Sequence, residues 1–72
     1  MREYSKLLNK WYFIEDSIYI SNMAQCAFYI EHKDFEEELL DIFVEDHRVV
    51  MVWQKSDNTR EWYKEWCSRK HE

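Results

Sequence analysis

The 72-residue sequence contains neither glycine nor proline, and each absence excludes something. Nucleotide-cradling loops need backbone amides unobstructed by Cβ atoms, so no phosphate-binding loop is expected. Hairpin turns with positive φ lose their preferred residue, and helix C-termini lose their usual cap. Turns are therefore expected from Asp, Asn, His or Lys in type I-like geometry, or from longer loops. Cysteine is scarce: Cys26 and Cys67 alone make no disulfide framework. Long apolar runs are missing, so neither a secretory leader nor a membrane-spanning segment is expected. The expected setting is a reducing cytoplasm with both thiols free.

Apolar residues make up 46% of the chain and charged residues 35%, the balance of a globular rather than a disordered protein. A chain of this length buries only about 60% of the surface its unfolded form exposes. It is read as a single domain over residues 1–72, with no room for a deep enzyme cleft. Aromatic residues reach 18%. Such rings either fill a small core or anchor an interface.

The net charge of −5 is unevenly distributed. Residues 1–30 balance to 0. Residues 31–46 carry Glu31, Asp34, Glu36, Glu37, Glu38, Asp41, Glu45 and Asp46 against Lys33, a net of −7, and residues 47–72 sum to +2. An acidic block of this density disfavours general phosphate-backbone binding. It suits a basic partner, or else a solvated, solubilising surface.

Tyr4, Leu7, Leu8, Trp11 and Ile14 fall at helical spacing, which predicts a short amphipathic helix from about Glu3 that unwinds by Phe13. The competing reading makes Trp11 to Ile14 an extended strand, because aromatic and β-branched residues dominate there. Ile18 to Ile20 reads as a short strand. Ser21 and Asn22 suit an N-cap for a helix reaching about His32, with Met23, Ala24, Ala27, Phe28 and Ile30 as its apolar face. Leu39 to Val44 and Val49 to Gln54 read as a hairpin. Neither strand alternates cleanly between apolar and polar, so both faces of the sheet are expected to be covered. Asn58, with Glu61 at the third position after it, resembles a capping box that opens a helix to about Arg69. On that helix Thr59, Trp62, Tyr63 and Trp66 mark one face, and Arg69, Lys70 and His71 sit where a C-terminus favours cations. The fold class expected is α+β: a small β-α-β-β-α core with a short antiparallel sheet, plus an N-terminal helix or extended segment.

Several blocks carry a family resemblance. Tyr19-Ile20-Ser21-Asn22 precedes Gln25; Ala27-Phe28-Tyr29-Ile30 follows; Leu40-Asp41-Ile42 and Val50-Met51-Val52-Trp53 supply two strands; Asn58-Thr59-Arg60-Glu61 leads to Trp66-Cys67. On these blocks residues 18–68 resemble small, mostly uncharacterised bacteriophage and mobile-element proteins of the DUF5659-like type. The group usually has Asn-Gly after its first helix, where this chain has His32-Lys33-Asp34. The resemblance implies a β-α-β-β-α core and a phage-related origin in a bacterial host cell. It implies no catalytic residue.

Little catalytic or metal chemistry is legible. Cys67 and His71 stand at i,i+4, half of a zinc site, but Cys26 and His32 at i,i+6 point to different helix faces. The same Cys67–His71 pair lacks a third group or an oxyanion loop for nucleophilic catalysis. Neither an enzymatic activity nor a cofactor or metal is therefore expected. Arg60, Lys64, Arg69 and Lys70 interleave with Trp62, Tyr63 and Trp66, the pattern of a nucleic-acid accessory module, but Glu61 and Glu65 share the helix. The preferred reading is a protein–protein contact. The eight acids would form the protein-binding surface, with Phe35, Tyr29 and Trp62 as hydrophobic anchors. The partner expected is a host bacterial protein with a basic surface, such as a nuclease or CRISPR effector. Exposed strand edges leave both a monomer and a homodimer open.

Overall fold

The computed structural model describes residues 1–69. The fold is α+β, built as three layers around a central antiparallel sheet. The elements are β1 (Arg2–Ser5), β2 (Lys10–Phe13), a single 3-10 turn (Ile14–Asp16), β3 (Ser17–Ile20), α1 (Met23–Ile30), the one-turn α2 (Phe35–Glu38), β4 (Leu39–Glu45), β5 (Arg48–Gln54) and α3 (Asp57–Arg69). Strands β3, β5 and β4 form the sheet in that order, so β5 is central. The β-α-β-β-α core expected from the sequence is present as β3, α1, β4, β5 and α3.

The N-terminal segment takes the extended alternative rather than the preferred helix. β1 and β2 pair as a hairpin, with Tyr4 opposite Trp11 and Arg2 opposite Phe13. Burial explains the outcome. Helical spacing would place Tyr4, Leu7, Leu8 and Trp11 on one buried face, yet Tyr4, Leu7 and Trp11 are all exposed. Ser5 and Tyr12 are the residues turned inward, on the period-2 face of a strand pair. Asn9 closes the hairpin loop at φ 57 and donates its amide to the Ser5 carbonyl. It thus takes the left-handed position that Gly would otherwise fill.

The sheet is the middle layer. Its first face packs Ile20, Leu39, Met51 and Trp53 against Cys26, Phe28 and Tyr29 of α1 and Trp62 of α3. The opposite face packs Leu40 and Val52 against Tyr12 of the hairpin, with Phe43 alongside. A β-bulge allows this. Leu39 pairs with Trp53 and Asp41 with Val52, so Leu40 is an extra residue in β4. A bulge re-aims side chains: Leu39 joins the helix-side core, while Leu40 and Asp41 both meet hairpin residues.

Local capping follows the sequence with one correction. The Asn22 side chain accepts the Gln25 amide and caps α1 as expected. At α3 the reciprocal cap is Ser56 with Thr59, not Asn58 with Glu61. The Thr59 amide donates to Ser56 Oγ, and the Ser56 amide donates to Thr59 Oγ1. Lys70 and His71 lie outside the described residues, and with them the Cys67–His71 spacing set aside above.

The β4–β5 turn departs from the type I-like expectation. Asp46 and His47 both hold positive φ, 52° and 65°. A two-residue turn of this hand matches the right-handed strand twist, and the chain adopts it without glycine. The left-handed conformation costs a non-glycine residue about 1 kcal/mol. His47→Gly is therefore expected to stabilise the protein by about 0.5–1 kcal/mol, read as a higher urea midpoint with unchanged slope. A lower midpoint would contradict the turn geometry.

Candidate protein-binding surface

The eight acids of residues 31–46 do not form one patch. Glu31, Asp34, Glu36 and Glu37 are exposed around the α1–α2 connection. Glu45 and Asp46 are exposed at the far tip of the β4–β5 hairpin, about 20 Å along the strand from Leu39 at the usual rise per residue. Glu38 and Asp41 leave the patch altogether, at 7% and 6% exposure. Glu38 accepts hydrogen bonds from Ser56 Oγ (2.7 Å) and Asn58 Nδ2 (2.9 Å), which seats the start of α3 on the end of α2. A carboxylate at a helix N-terminus is also favoured by the helix dipole.

Two of the three expected anchors are core residues. Tyr29 is 1% exposed, edge-on to Trp53 and Trp62, and its hydroxyl accepts from Gln25 Nε2. Trp62 is 6% exposed and stacks on His32 at 4.4 Å. Phe35 is half-buried and packs against the same core. Met23, Ala24, Ala27 and Ile30 face solvent instead, so α1 is rotated from the apolar face expected of it. The larger rings win the interior because each removes more apolar area from water than an alanine does. Burial of Trp62 also takes the central ring from the α3 nucleic-acid reading. Trp66 is half-buried, and Arg69 lies over Phe28 at 4.7 Å.

Tyr19 and Tyr63 are also exposed, but three aromatic residues are exposed together on the N-terminal hairpin. Trp11, Phe13 and Tyr4 are 57%, 56% and 40% exposed. Cross-strand pairing sets Arg2, Tyr4, Trp11 and Phe13 on one face. Tyr4 meets Trp11 edge-on at 5.1 Å, and the Arg2 guanidinium sits 4.6 Å over the Trp11 ring. The Tyr4 hydroxyl donates to the Asn9 side chain. The period-2 spacing of Arg2 with Tyr4 and of Trp11 with Phe13 is the signal that could have found this face. A helical reading of the same residues conceals it.

The inner face of the hairpin is fixed by a buried polar network centred on Asp41. Ser5 Oγ donates to Oδ1 at 2.7 Å, the Ile42 amide to the same oxygen at 2.8 Å, and the Tyr12 hydroxyl to Oδ2 at 3.0 Å. Tyr12 and Tyr19 hydroxyls stand 3.4 Å apart. Since Tyr12 gives its proton to Asp41, Tyr19 is the donor between them. Burial pushes the Tyr12 phenol pKa far above its ordinary value, and the hydrogen bond it donates to Asp41 raises it further. Tyr29 is raised by burial against the opposing Gln25 hydrogen bond. Cys26 is raised by burial against the Trp53 indole N–H.

These shifts carry a sign. A group whose pKa is higher in the folded state holds its proton more tightly there, so its stabilisation is complete below the unfolded pKa and is lost above it. The contribution of these groups to the unfolding free energy is therefore expected to be constant below the unfolded pKa of the Cys26 thiol, 9.0, and to fall beyond that of Tyr12 and Tyr29, 10.0. Urea titrations across this range check the slope, with tyrosinate absorbance followed in parallel. Stability that rises with alkalinity would refute it.

Among the described residues no helix is long and apolar enough to cross a membrane, and no three His, Cys, Asp or Glu side chains converge as a metal-binding group. Comparison with protein-family models, curated proteins and solved structures finds no match to this chain.

Proposed function

We propose that this protein acts by binding another protein through the outer face of its N-terminal hairpin, with the separate acidic surfaces steering it toward a basic partner. The observation that carries the reading is the exposure of Tyr4, Trp11 and Phe13 on one side of a strand pair whose other side is anchored. A chain of 72 residues needs its large rings for its core. Three of them exposed together on one hairpin face, with an arginine over one, have the composition of an interface centre. Because Asp41 and Tyr12 hold the hairpin from beneath, the face is presented in one conformation, and less ordering is required on binding. Glu31, Asp34, Glu36 and Glu37 add a negative field that raises the encounter rate with a basic surface. In the phage setting that the sequence resemblance implies, the partner is a host bacterial protein. Inhibition of a defence nuclease or CRISPR effector, in the manner of an anti-CRISPR protein, is the concrete form of the proposal.

A pull-down from bacterial host lysate, followed by affinity measurement with the captured protein, tests it. The Trp11→Ala/Phe13→Ala variant keeps its circular dichroism and is expected to bind at least about 100-fold more weakly, as loss of two interface anchors implies. Charge reversal at Glu36 and Glu37 is expected to slow association by several-fold at low salt only. Undiminished capture by the double aromatic variant sinks the reading. Salt-sensitive binding of single-stranded oligonucleotide to the same face would replace it with a nucleic-acid role.

A further inference from the structure

We infer that the cleft between the N-terminal hairpin and the sheet is a binding site for an organic cation, namely the guanidinium or ammonium head of an arginine or lysine side chain. The inference deepens the protein-binding reading and rests on it for the source of the cation, but the cleft itself is testable without any partner.

Three observations converge. The first is a buried carboxyl group with no direct ion-pair partner among the described residues. Asp41 is 6% exposed and receives hydrogen bonds from two hydroxyls and one amide. No described Lys, Arg or His nitrogen lies within 4.0 Å of it. A carboxylate has about four acceptor positions, so Oδ2, with Tyr12 alone, keeps one open. Buried carboxylates are almost always matched by a positive group. Glu38 shows the contrast within the same fold: it is equally buried, but its positive counterpart is the N-terminus of α3.

The second observation is the lining. Asp41 borders a cleft of about 310 Å³ together with Glu3, Tyr4, Tyr12, Tyr19 and Phe43, and no basic residue contributes. Tyr19 and Phe43 stand edge-to-face at 6.0 Å. Aromatic rings beside carboxylates attract cations through both the ring quadrupole and direct charge. The third observation is the donor chemistry. Two carboxylates and phenol hydroxyls fall short of the six or more oxygens a hard metal ion gathers, whereas ring faces favour a weakly hydrated organic cation. The volume fits a side-chain head rather than a larger ligand.

The test is a titration of the full chain with N-acetyl-arginine amide, N-acetyl-lysine amide and tetramethylammonium chloride, at ionic strength held constant with sodium chloride. Aromatic proton–carbon NMR signals of Tyr12, Tyr19 and Phe43 are followed. Saturable shifts with the arginine or lysine amide are expected, with none from sodium. Glu3→Gln removes an exposed carboxylate and is expected to weaken binding about threefold. Tyr19→Leu removes a ring and is expected to weaken it about threefold to tenfold. Linear shifts equal to those from sodium overturn the inference, as do saturable shifts unchanged in both folded variants. Saturation by tetramethylammonium alone supports a cation site but overturns a protein side chain as its occupant. No partner is present in the titration. A failed cleft is thus read separately from a hairpin face that captures nothing.

Discussion

Asp41→Ala is expected to destabilise the protein by about 3–5 kcal/mol and to loosen the N-terminal hairpin from the sheet. The magnitude follows from what is left behind. Ser5 is completely buried and Tyr12 is 5% exposed, and both hydroxyls donate to this one carboxylate. Leaving a buried donor without an acceptor costs about 1–3 kcal/mol each, and hydrogen bonds to a charged acceptor lie at the upper end. Against this, removing Asp41 also removes the cost of burying its charge. The two effects separate in a double-mutant cycle. Tyr12→Phe removes one donor and keeps the ring packed against Leu40 and Val52. If the network acts as a unit, Asp41→Ala in the Tyr12→Phe background costs clearly less than in the native background, by about 1–2 kcal/mol. Urea unfolding gives the cycle, and amide NMR shifts confined to residues 1–13 and β4 report the loosening. A loss below about 1 kcal/mol, or strict additivity, would mean that apolar packing by Tyr12 alone holds the hairpin.

Asp41 also shows where reading the sequence stopped. The core order of strands and helices was legible because local signals agreed: β-branched runs for β3, β4 and β5, Asn22 as a cap for α1, and a polar break before α3. The fate of individual acids was not. Glu36, Glu37, Glu38 and Asp41 look alike in a run of charges. Only contacts from Ser5, Tyr12, Ser56 and Asn58, all distant in sequence, decide that Glu38 and Asp41 are interior. The bulge at Leu40 adds to this, because strict alternation would have set Leu40 and Asp41 on opposite faces. The hairpin was missed for a different reason. Tyr4, Leu7, Leu8 and Trp11 satisfy a helical period by coincidence; the run from Trp11 to Ile14 opposes it locally, but the Asn9 turn lacks the Gly that signals a hairpin. Nothing local marks Tyr29 and Trp62 as interior, because their burial is decided by rings they meet across the fold, Trp53 and His32. The candidate aromatic face followed only once those rings were placed inside and Tyr4, Trp11 and Phe13 outside.

Trp53→Ala is expected to bring the protein to the edge of unfolding. Trp53 has no exposed surface, lies on the central strand between Ile18 and Leu39, and meets Tyr29 at 5.2 Å and Trp62 at 6.3 Å. Truncating a buried Trp to Ala costs about 3–5 kcal/mol. A domain of this size holds about 4–11 kcal/mol in all, so the variant sits at or near the unfolding threshold. Trp53→Phe tests whether volume or polarity is responsible. The buried indole N–H of Trp53 has no hydrogen-bond partner among the described residues. Phenylalanine removes that donor while keeping most of the ring, so the relief offsets part of the lost packing. The expected cost is below about 1.5 kcal/mol, with the near-ultraviolet circular dichroism of a packed core retained. Equal destabilisation by Ala and Phe would show that the indole's second ring, rather than total core volume, locks α1 and α3 onto the sheet. A near-native denaturation midpoint for Trp53→Ala would instead move the centre of the fold to the hairpin side, onto Tyr12, Leu40 and Val52.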